Sequence, residues 1–508
     1  MFFQTSTQSL DQQINEQFSD ATRWFIDGIF AEIPISETIG IPWVLIVLIL
    51  GAGYFTFYFK FINFTDFFTA IKVVQGKYDH LEIDNPQDKL IVEHPNIDKD
   101  SENLNIEGEV SHFQALTTAI SATVGLGNIA GVAIALGIGG PGATFWMILV
   151  GLLGMSSKFV ECTLGVKYRE VDEEGTIFGG PMYYLKKGLE EKGYKKLGKV
   201  LAVLFAIMCI GGSFGGGNMF QVNQAFKLFE YVTGAEASFI AGKGWIFGLI
   251  MAILVGVVII GGIKKIASVT DKIVPFMVAM YMLAVFIVLG LNYTEIPNAF
   301  ISIWEGAFNP EGVIGGFVGV LIQGFKRAAF SNEAGIGSAS IAHSAVKTKF
   351  PASEGIVALL EPFIDTVVVC TLTALVLIIT GQIVPGMILN DEEGVLLTAS
   401  ALESGVSWFP YLLTLAVILF AFSSMISWSY YGYQSWSYLF GRGKGTEYIY
   451  KLLFCCFTVI GAAATLGAVT DFSDAMIFAM LVPNMIGLFI LSPKVAEELK
   501  RYRKLIKE

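Results

Sequence analysis

The sequence predicts an all-α membrane protein of about eleven transmembrane helices, built as two halves of opposite orientation. Three observations predict it: a lipid-suited composition, eleven apolar segments near spanning length, and two of those segments, five helices apart, broken by small residues. Of 508 residues, 54% are hydrophobic and 15% charged, where soluble domains carry about 25% charged residues. Glycine is abundant at 55 residues, which suits helices that pack closely in lipid. The formal charge of -11 argues against a nucleic-acid partner, whose phosphates call for a basic face.

A hydrocarbon core of about 30 Å needs roughly 20 apolar residues per helix. That rule picks out 41–62, 113–138, 142–168, 197–224, 246–262, 273–290, 313–342, 355–380, 408–438, 448–468 and 472–491. Residues 1–40 read as an acidic, partly amphipathic lead-in with Arg23 as its sole basic residue; no basic region precedes an apolar one, so it is not read as a signal peptide. Residues 63–112 read as a loop, strongly acidic between Asp79 and Glu109, and 492–508 as a basic tail.

An odd number of crossings puts the termini on opposite sides. Outside the helices, Lys and Arg crowd one set of alternating loops, from Lys72 and Lys77 through Arg169–Lys196 to the C-terminal tail. The other set holds only Arg23, Lys227 and Lys243. The positive-inside rule then gives an outer N-terminus and a cytoplasmic C-terminus.

The second and seventh segments are interrupted. One carries Val124-Gly125-Leu126-Gly127-Asn128; the other carries Gly324 and then the run from Ser331 to Gly337, SNEAGIG. Matching interruptions in two halves point to an inverted repeat with a binding site at the breaks. Unwound backbone in lipid must face a cavity or a ligand, because the bilayer offers it no partner. The five cysteines, Cys162, Cys209, Cys370, Cys455 and Cys456, fall in apolar segments and read as small core hydrophobes. The four histidines lack metal-ligand spacing.

At these residues a family resemblance becomes specific. The run ATVGLGN (122–128) is similar to the first core helix of LeuT-fold sodium symporters, which are built on such a repeat. HFQALTT (112–118), GLGNIAGVA (125–133), KFVECTLGVKYRE (158–170), GGPMYYL (179–185) and FSNEAGIGSASIAH (330–343) resemble, in order, blocks of the alanine or glycine:cation symporter family. The resemblance implies a LeuT-like five-plus-five core (113–290 and 313–491) behind one extra helix (41–62). It also implies co-transport of Na⁺ with a small neutral amino acid across the cell (inner) membrane. No Walker motif appears, so uphill movement would draw on an ion gradient.

A zwitterion in a low-dielectric site needs donors for its carboxylate. The N–H groups of Leu126 and Gly127, beside Thr123 and Gly125, sit at the start of a half-helix and would supply them. Na⁺ prefers oxygen ligands. Carbonyls of Ser121, Thr123 and Val124, the Asn128 side chain, and the hydroxyls of Ser423 and Ser424 are the candidates; the two serines come from the resemblance. Phe220, Gln221, Gln323, Phe325 and Trp428 are candidate pocket walls. Lys326-Arg327, followed by Glu333, are intramembrane charges; Glu333 lies nearly two turns on from Lys326, and a cross-helix Glu161 or Asp365 is an equal candidate partner. Proton coupling through Glu161, Glu333 or Asp365 is the second reading. A channel would need a filter repeat or a ring of like charges, and an enzyme a cluster of acid/base or metal ligands; neither is evident in the sequence. Oligomeric state is not legible.

Overall fold

The structure is a computed structural model, and it describes residues 10–34, 40–82, 107–309, 316–383, 387, 391–464 and 467–507. Helix α1 (Leu10–Ile29) leads into a hairpin of β1 (Glu32–Pro34) and β2 (Gly40–Pro42), with Ile33 opposite Ile41. Next come α2 (Trp43–Tyr58), α3 (His112–Thr123), α4 (Leu126–Gly139) and α5 (Ala143–Lys167). A second hairpin, β3 (Glu170–Val171) and β4 (Ile177–Phe178), precedes α6 (Pro181–Glu191). Helix α7 (Lys195–Phe214) passes through a π-helical turn, Gly215–Met219, into α8 (Phe220–Val232). The rest comprises α9 (Gly244–Ile259), α10 (Gly262–Leu291), α11 (Ile296–Phe308), α12 (Gly316–Asn332), α13 (Ala339–His343), α14 (Pro351–Val357), α15 (Thr371–Ile379), α16 (Asp391–Gly405), α17 (Phe409–Phe440), α18 (Lys444–Ala463) and α19 (Gly467–Leu505). A π-helical stretch, Phe363–Cys370, joins α14 to α15.

Among the described residues, eight helical stretches are long and apolar enough to cross a membrane. Two further apolar helices, α2 and α9, are shorter, and the broken α12–α13 segment covers the remaining expected span.

Both expected breaks are present. A capping box of Ser111 and Gln114 starts α3, satisfying two amide groups that a helix start leaves open. The helix stops when Val124 turns extended (φ -75°, ψ 99°), and α4 restarts after Gly125. In the seventh segment, Glu333 takes a left-handed φ of 53°, and Gly335 and Gly337 follow at 85° and 101°. A non-glycine residue in that region is strained, and such strain gathers at functional positions. Asn332 supports the turn by accepting the Ala334 N–H at 3.0 Å. Helix α12 packs on α4 and α5, and α3 on α10 and α17, so the two breaks lie side by side in the core.

Several boundaries differ from expectation. Helix α10 begins at Gly262, because Lys264, Lys265, Asp271 and Lys272 extend a helix rather than form a loop. The basic tail continues α19 to Leu505, through Pro483 and Pro493. The lead-in is helical from Leu10 and docks on α19, with Phe25 against Phe472 and Phe30 against Phe478. Residues 62–82 fold into short helices, while 83–106, most of the acidic stretch, lie outside the described residues. Helices α6, α11 and α16 were read as loops. Cys162, Cys209 and Cys370 are buried as expected, but Cys456 is exposed and Cys455 is half-buried against α9, its thiol on the Ala252 carbonyl.

At one end of the bundle, loops from both halves are tied together. The Arg169 guanidinium donates to the carbonyls of Glu107, Ser344, Val346 and Thr348. Burial holds its pKa below the usual arginine value. Arg442 pairs with Glu170, which also lies 3.2 Å from Lys187.

Candidate functional site

Helix α3 ends with carbonyls pointing into the break, and α4 starts with open amides there. Leu126 and Gly127 are its first two residues, so their N–H groups have no partner within the helix. Across the break lies α17. The Ser424 hydroxyl donates to the Ser121 carbonyl at 2.8 Å, and the Ser121 hydroxyl to the Ser423 carbonyl at 2.7 Å. A Cβ on Gly125 would stand 3.0 Å from the Ser424 hydroxyl, so that hydroxyl faces the unwound residue. Ser423 back-bonds to Phe420 at 3.0 Å. The Thr123 hydroxyl does likewise, toward Ala119, leaving its carbonyl as the group aimed at the break. Ser121, Ser423 and Ser424 are thus brought together between α3 and α17.

Asn128 belongs to a second cluster. Its amide oxygen accepts the Gly125 N–H at 2.8 Å, and its amide nitrogen donates to the Asp365 carboxylate at 2.6 Å and to Ser331 at 3.1 Å. Ser331 and Thr366 each donate to the other Asp365 oxygen at 2.7 Å. Asp365 is fully buried, and all of these partners are neutral. A buried carboxylate is costly without a positive charge nearby. Asp365, a candidate partner for Lys326 or Arg327, sits instead with Asn128 and Ser331, where the two broken helices meet.

The wall candidates separate. Gln221 is at the break: its amide nitrogen bonds the Gly216 carbonyl at 3.0 Å, while its amide oxygen is buried without a hydrogen-bond partner and lies 3.6 Å from where a Gly125 Cβ would be. Phe220 faces Phe330 of α12, their ring centres 6.5 Å apart. Trp428 lies one turn beyond Ser424 and packs into the glycine-rich bend of helices α7 and α8. A Cβ on Gly217 would stand 2.4 Å from its own Cβ, so only glycine fits there. Gln323 and Phe325 sit elsewhere. Gln323 abuts Gly139 at the far end of α4, about 20 Å along that helix from the break. Phe325 packs on Trp146 of α5, 5.8 Å between ring centres.

Arg327 takes the place the sequence assigned to its neighbours. Its guanidinium donates to the Gly127 carbonyl at 3.0 Å, lies over the Phe330 ring at 4.8 Å and fills the notch left by Gly131. Lys326 faces the other way, over the Phe30 ring at 5.4 Å. The expected carboxylates are engaged otherwise: Glu333 by Ser338, Glu161 by Lys158 and Asn484.

Sequence reasoning missed a buried chain of charges between the core and the tied end of the bundle. Lys158 lies 2.9 Å from Glu361 and 3.9 Å from Glu161. Glu361 lies 3.7 Å from His343, which meets Glu354 at 2.5 Å, and the other Glu354 oxygen contacts His112. All but His112 have side chains with no exposure. One signal was readable: Lys158 and Glu161 stand three apart in an apolar helix, and Glu354 and Glu361 seven apart, each on one helical face.

The sequence model of the Sodium:alanine symporter family matches residues 29–508. The chain belongs to that family. It is 43% identical over 403 residues to the sodium/alanine symporter AgcS of Methanococcus maripaludis, covering 79% of this chain and 86% of the relative. It is 33% identical over 464 residues to the probable sodium/glutamine symporter GlnT of Bacillus subtilis, covering 90% and 87%. Among solved structures, MhsT in complex with L-phenylalanine matches with a TM-score of 0.55 at 16% identity, over 78% of this chain and 93% of that one. At that identity the likeness concerns the fold, which is LeuT-like. The chain is therefore a multi-pass membrane transporter of the amino-acid:cation symporter kind and not an enzyme.

Proposed function

We propose that this symporter couples Na⁺ to the uptake of a small neutral amino acid by alternating access, with eleven spans, an outer N-terminus and a cytoplasmic C-terminus. Asp365 carries the reading. A membrane-buried carboxylate whose partners among the described residues are all neutral, at the contact of two unwound helices, calls for a cation, and the Ser331 and Thr366 hydroxyl oxygens beside it complete a hard-ligand set. The Ser121, Val124 and Ser424 oxygens form a second set on the opposite side of the break. Between them, the Leu126 and Gly127 amides suit a substrate carboxylate, and the unpartnered Gln221 oxygen suits its ammonium group. Trp428 and Phe220 limit the space beside them. Binding of ²²Na⁺ to purified protein tests this. Saturable binding that weakens in Asp365→Asn supports the assignment, and undiminished binding in that variant refutes it.

A second reading is favoured by one observation. In the buried chain from Lys158 to His112, two histidines share Glu354, so its charge balance depends on how many protons it holds. In that reading protons contribute to coupling alongside Na⁺. Alanine uptake that acidifies the vesicle lumen under zero Na⁺ gradient would establish it, and uptake without proton movement would dismiss it.

A further inference from the structure

The transport site uses the middle of the bundle, but one end carries a groove that it does not explain. A cleft of about 460 Å³ runs between the end of α2 and the last turns of α19. Five cations line it: Lys60, Lys500, Arg503, Lys504 and Lys507, over a floor that includes Leu499. Lys500, Arg503 and Lys504 on α19 recur at spacings of three and four, so they share one face of that helix, and Lys507 follows two residues past its end. Arg503 is held in place by the Asp66 carboxylate and lies 3.5 Å from the Thr65 hydroxyl. Lys60 is brought to the cleft by two successive left-handed residues, Lys60 (φ 55°) and Phe61 (φ 59°), an arrangement that non-glycine residues adopt at a cost. A positive-inside bias accounts for basic residues at this end. It does not account for five of them converging on one cleft whose described lining includes no acidic residue.

The surface next to the cleft supplies the other half of the observation. Tyr54, Phe57, Tyr58 and Phe61 are all exposed on α2 and its end, Phe57 to 68%. An exposed aromatic face leading along a membrane helix into a basic cleft matches an amphiphile with an anionic head and apolar tails. Basic pockets at the membrane surface recognise lipid head groups in this way. We propose that the cleft binds the phosphate of an anionic phospholipid, with its acyl chains lying along the aromatic face of α2. The ligand class is a phosphodiester on a diacyl lipid. Free phosphate shares the head-group chemistry but not the tail contact.

The test uses the full chain, purified in detergent and stripped of lipid, with native mass spectrometry to count retained lipid. Dioleoyl phosphatidylglycerol and dioleoyl phosphatidylcholine are titrated into wild type, into Lys60→Gln/Lys500→Gln/Lys507→Gln, and into Lys192→Gln/Lys196→Gln/Lys199→Gln. The last variant removes the same charge from exposed lysines elsewhere. At roughly fivefold per lysine, the cleft variant should bind phosphatidylglycerol about a hundredfold more weakly, while the control binds as wild type does. Phosphatidylcholine should bind wild type at least tenfold more weakly than phosphatidylglycerol. Equal losses in both triple variants, or no preference between the lipids, overturns the proposal. Inorganic phosphate at millimolar concentration is the third arm. Binding of phosphate as tight as that of the lipid overturns the tail contact, and much weaker binding supports it. Melting temperatures matched to wild type establish that both variants are folded.

Discussion

Replacing Asp365 with Asn removes one negative charge and keeps the shape. In the structure the carboxylate accepts from Asn128 at 2.6 Å and from Ser331 and Thr366 at 2.7 Å. The Asn oxygen can still accept, and the two hydroxyls can rotate away from its new N–H groups. Relief of an uncompensated buried charge offsets the crowding of donors, so stability should change by no more than about 1 kcal/mol. The cation, by contrast, loses its formal counter-charge. Two unit charges 4 Å apart attract by about 4 kcal/mol at an effective dielectric of 20. Part of that is returned as restored hydration and relaxed ligands. A residual of about 1.4–2.8 kcal/mol raises the sodium concentration for half-maximal uptake by about 10- to 100-fold. The assay is initial-rate uptake of labelled alanine in proteoliposomes across a sodium series, with melting temperature as the folding control. Asp365→Ala provides a contrast. It strands three buried donors at about 1–3 kcal/mol each and should lose stability as well as affinity. A folded Asp365→Asn protein with unchanged sodium dependence would refute the reasoning.

Ser423→Ala/Ser424→Ala should raise the half-saturating sodium concentration about tenfold in the same assay without unfolding the chain, since Ser121 bonds the Ser423 backbone rather than its side chain. Gly131→Ala would place a Cβ 1.5 Å from the Arg327 guanidinium carbon, displacing it from the Gly127 carbonyl; uptake should fall at least tenfold while expression holds. Trp428→Phe should let valine and leucine compete better for alanine uptake, and a competition profile merely scaled down would remove Trp428 from the pocket wall; Trp428→Ala should cost about 3–5 kcal/mol in stability by leaving a cavity against Gly212 and Gly217. In a cysteine-free background, Lys192→Cys should resist an impermeant thiol reagent in intact cells and Glu403→Cys on α16 should react, and the reverse pattern would invert the proposed orientation.

The sequence was most readable where a polar or flexible residue interrupts apolar periodicity. The breaks at Val124–Gly125 and after Asn332 fall where small residues punctuate helices two and seven, because unwinding in lipid must be written into the chain. Ser423 and Ser424, singled out by the resemblance, sit opposite Ser121. What the sequence could not show was which elements face one another. Asp365 lies in a π-helical stretch that shifts its angular position, and no helical wheel places it against Asn128. Gln323 and Phe325 are only a turn from Arg327, yet they face α4's far end and α5, because α12 turns those faces away from the break. The chain of Lys158, Glu361, His343, Glu354 and His112 joins four separate segments. His112 and His343 stand 242 and 11 residues from Glu354, spacings that no local pattern links to a pairing. Helices α6, α11 and α16 were missed because their apolar face is shorter than a span, and α10 began early because charged residues at a helix start look like a loop.

The central claim is that a sodium gradient drives a small neutral amino acid through this chain. Its most direct test is labelled alanine uptake into proteoliposomes bearing the purified protein, with an inward Na⁺ gradient, with equal Na⁺ on both sides, and with choline replacing Na⁺. The account predicts saturable accumulation above equilibrium only under the gradient, suppressed by excess glycine. Equal accumulation in choline and in sodium would contradict it.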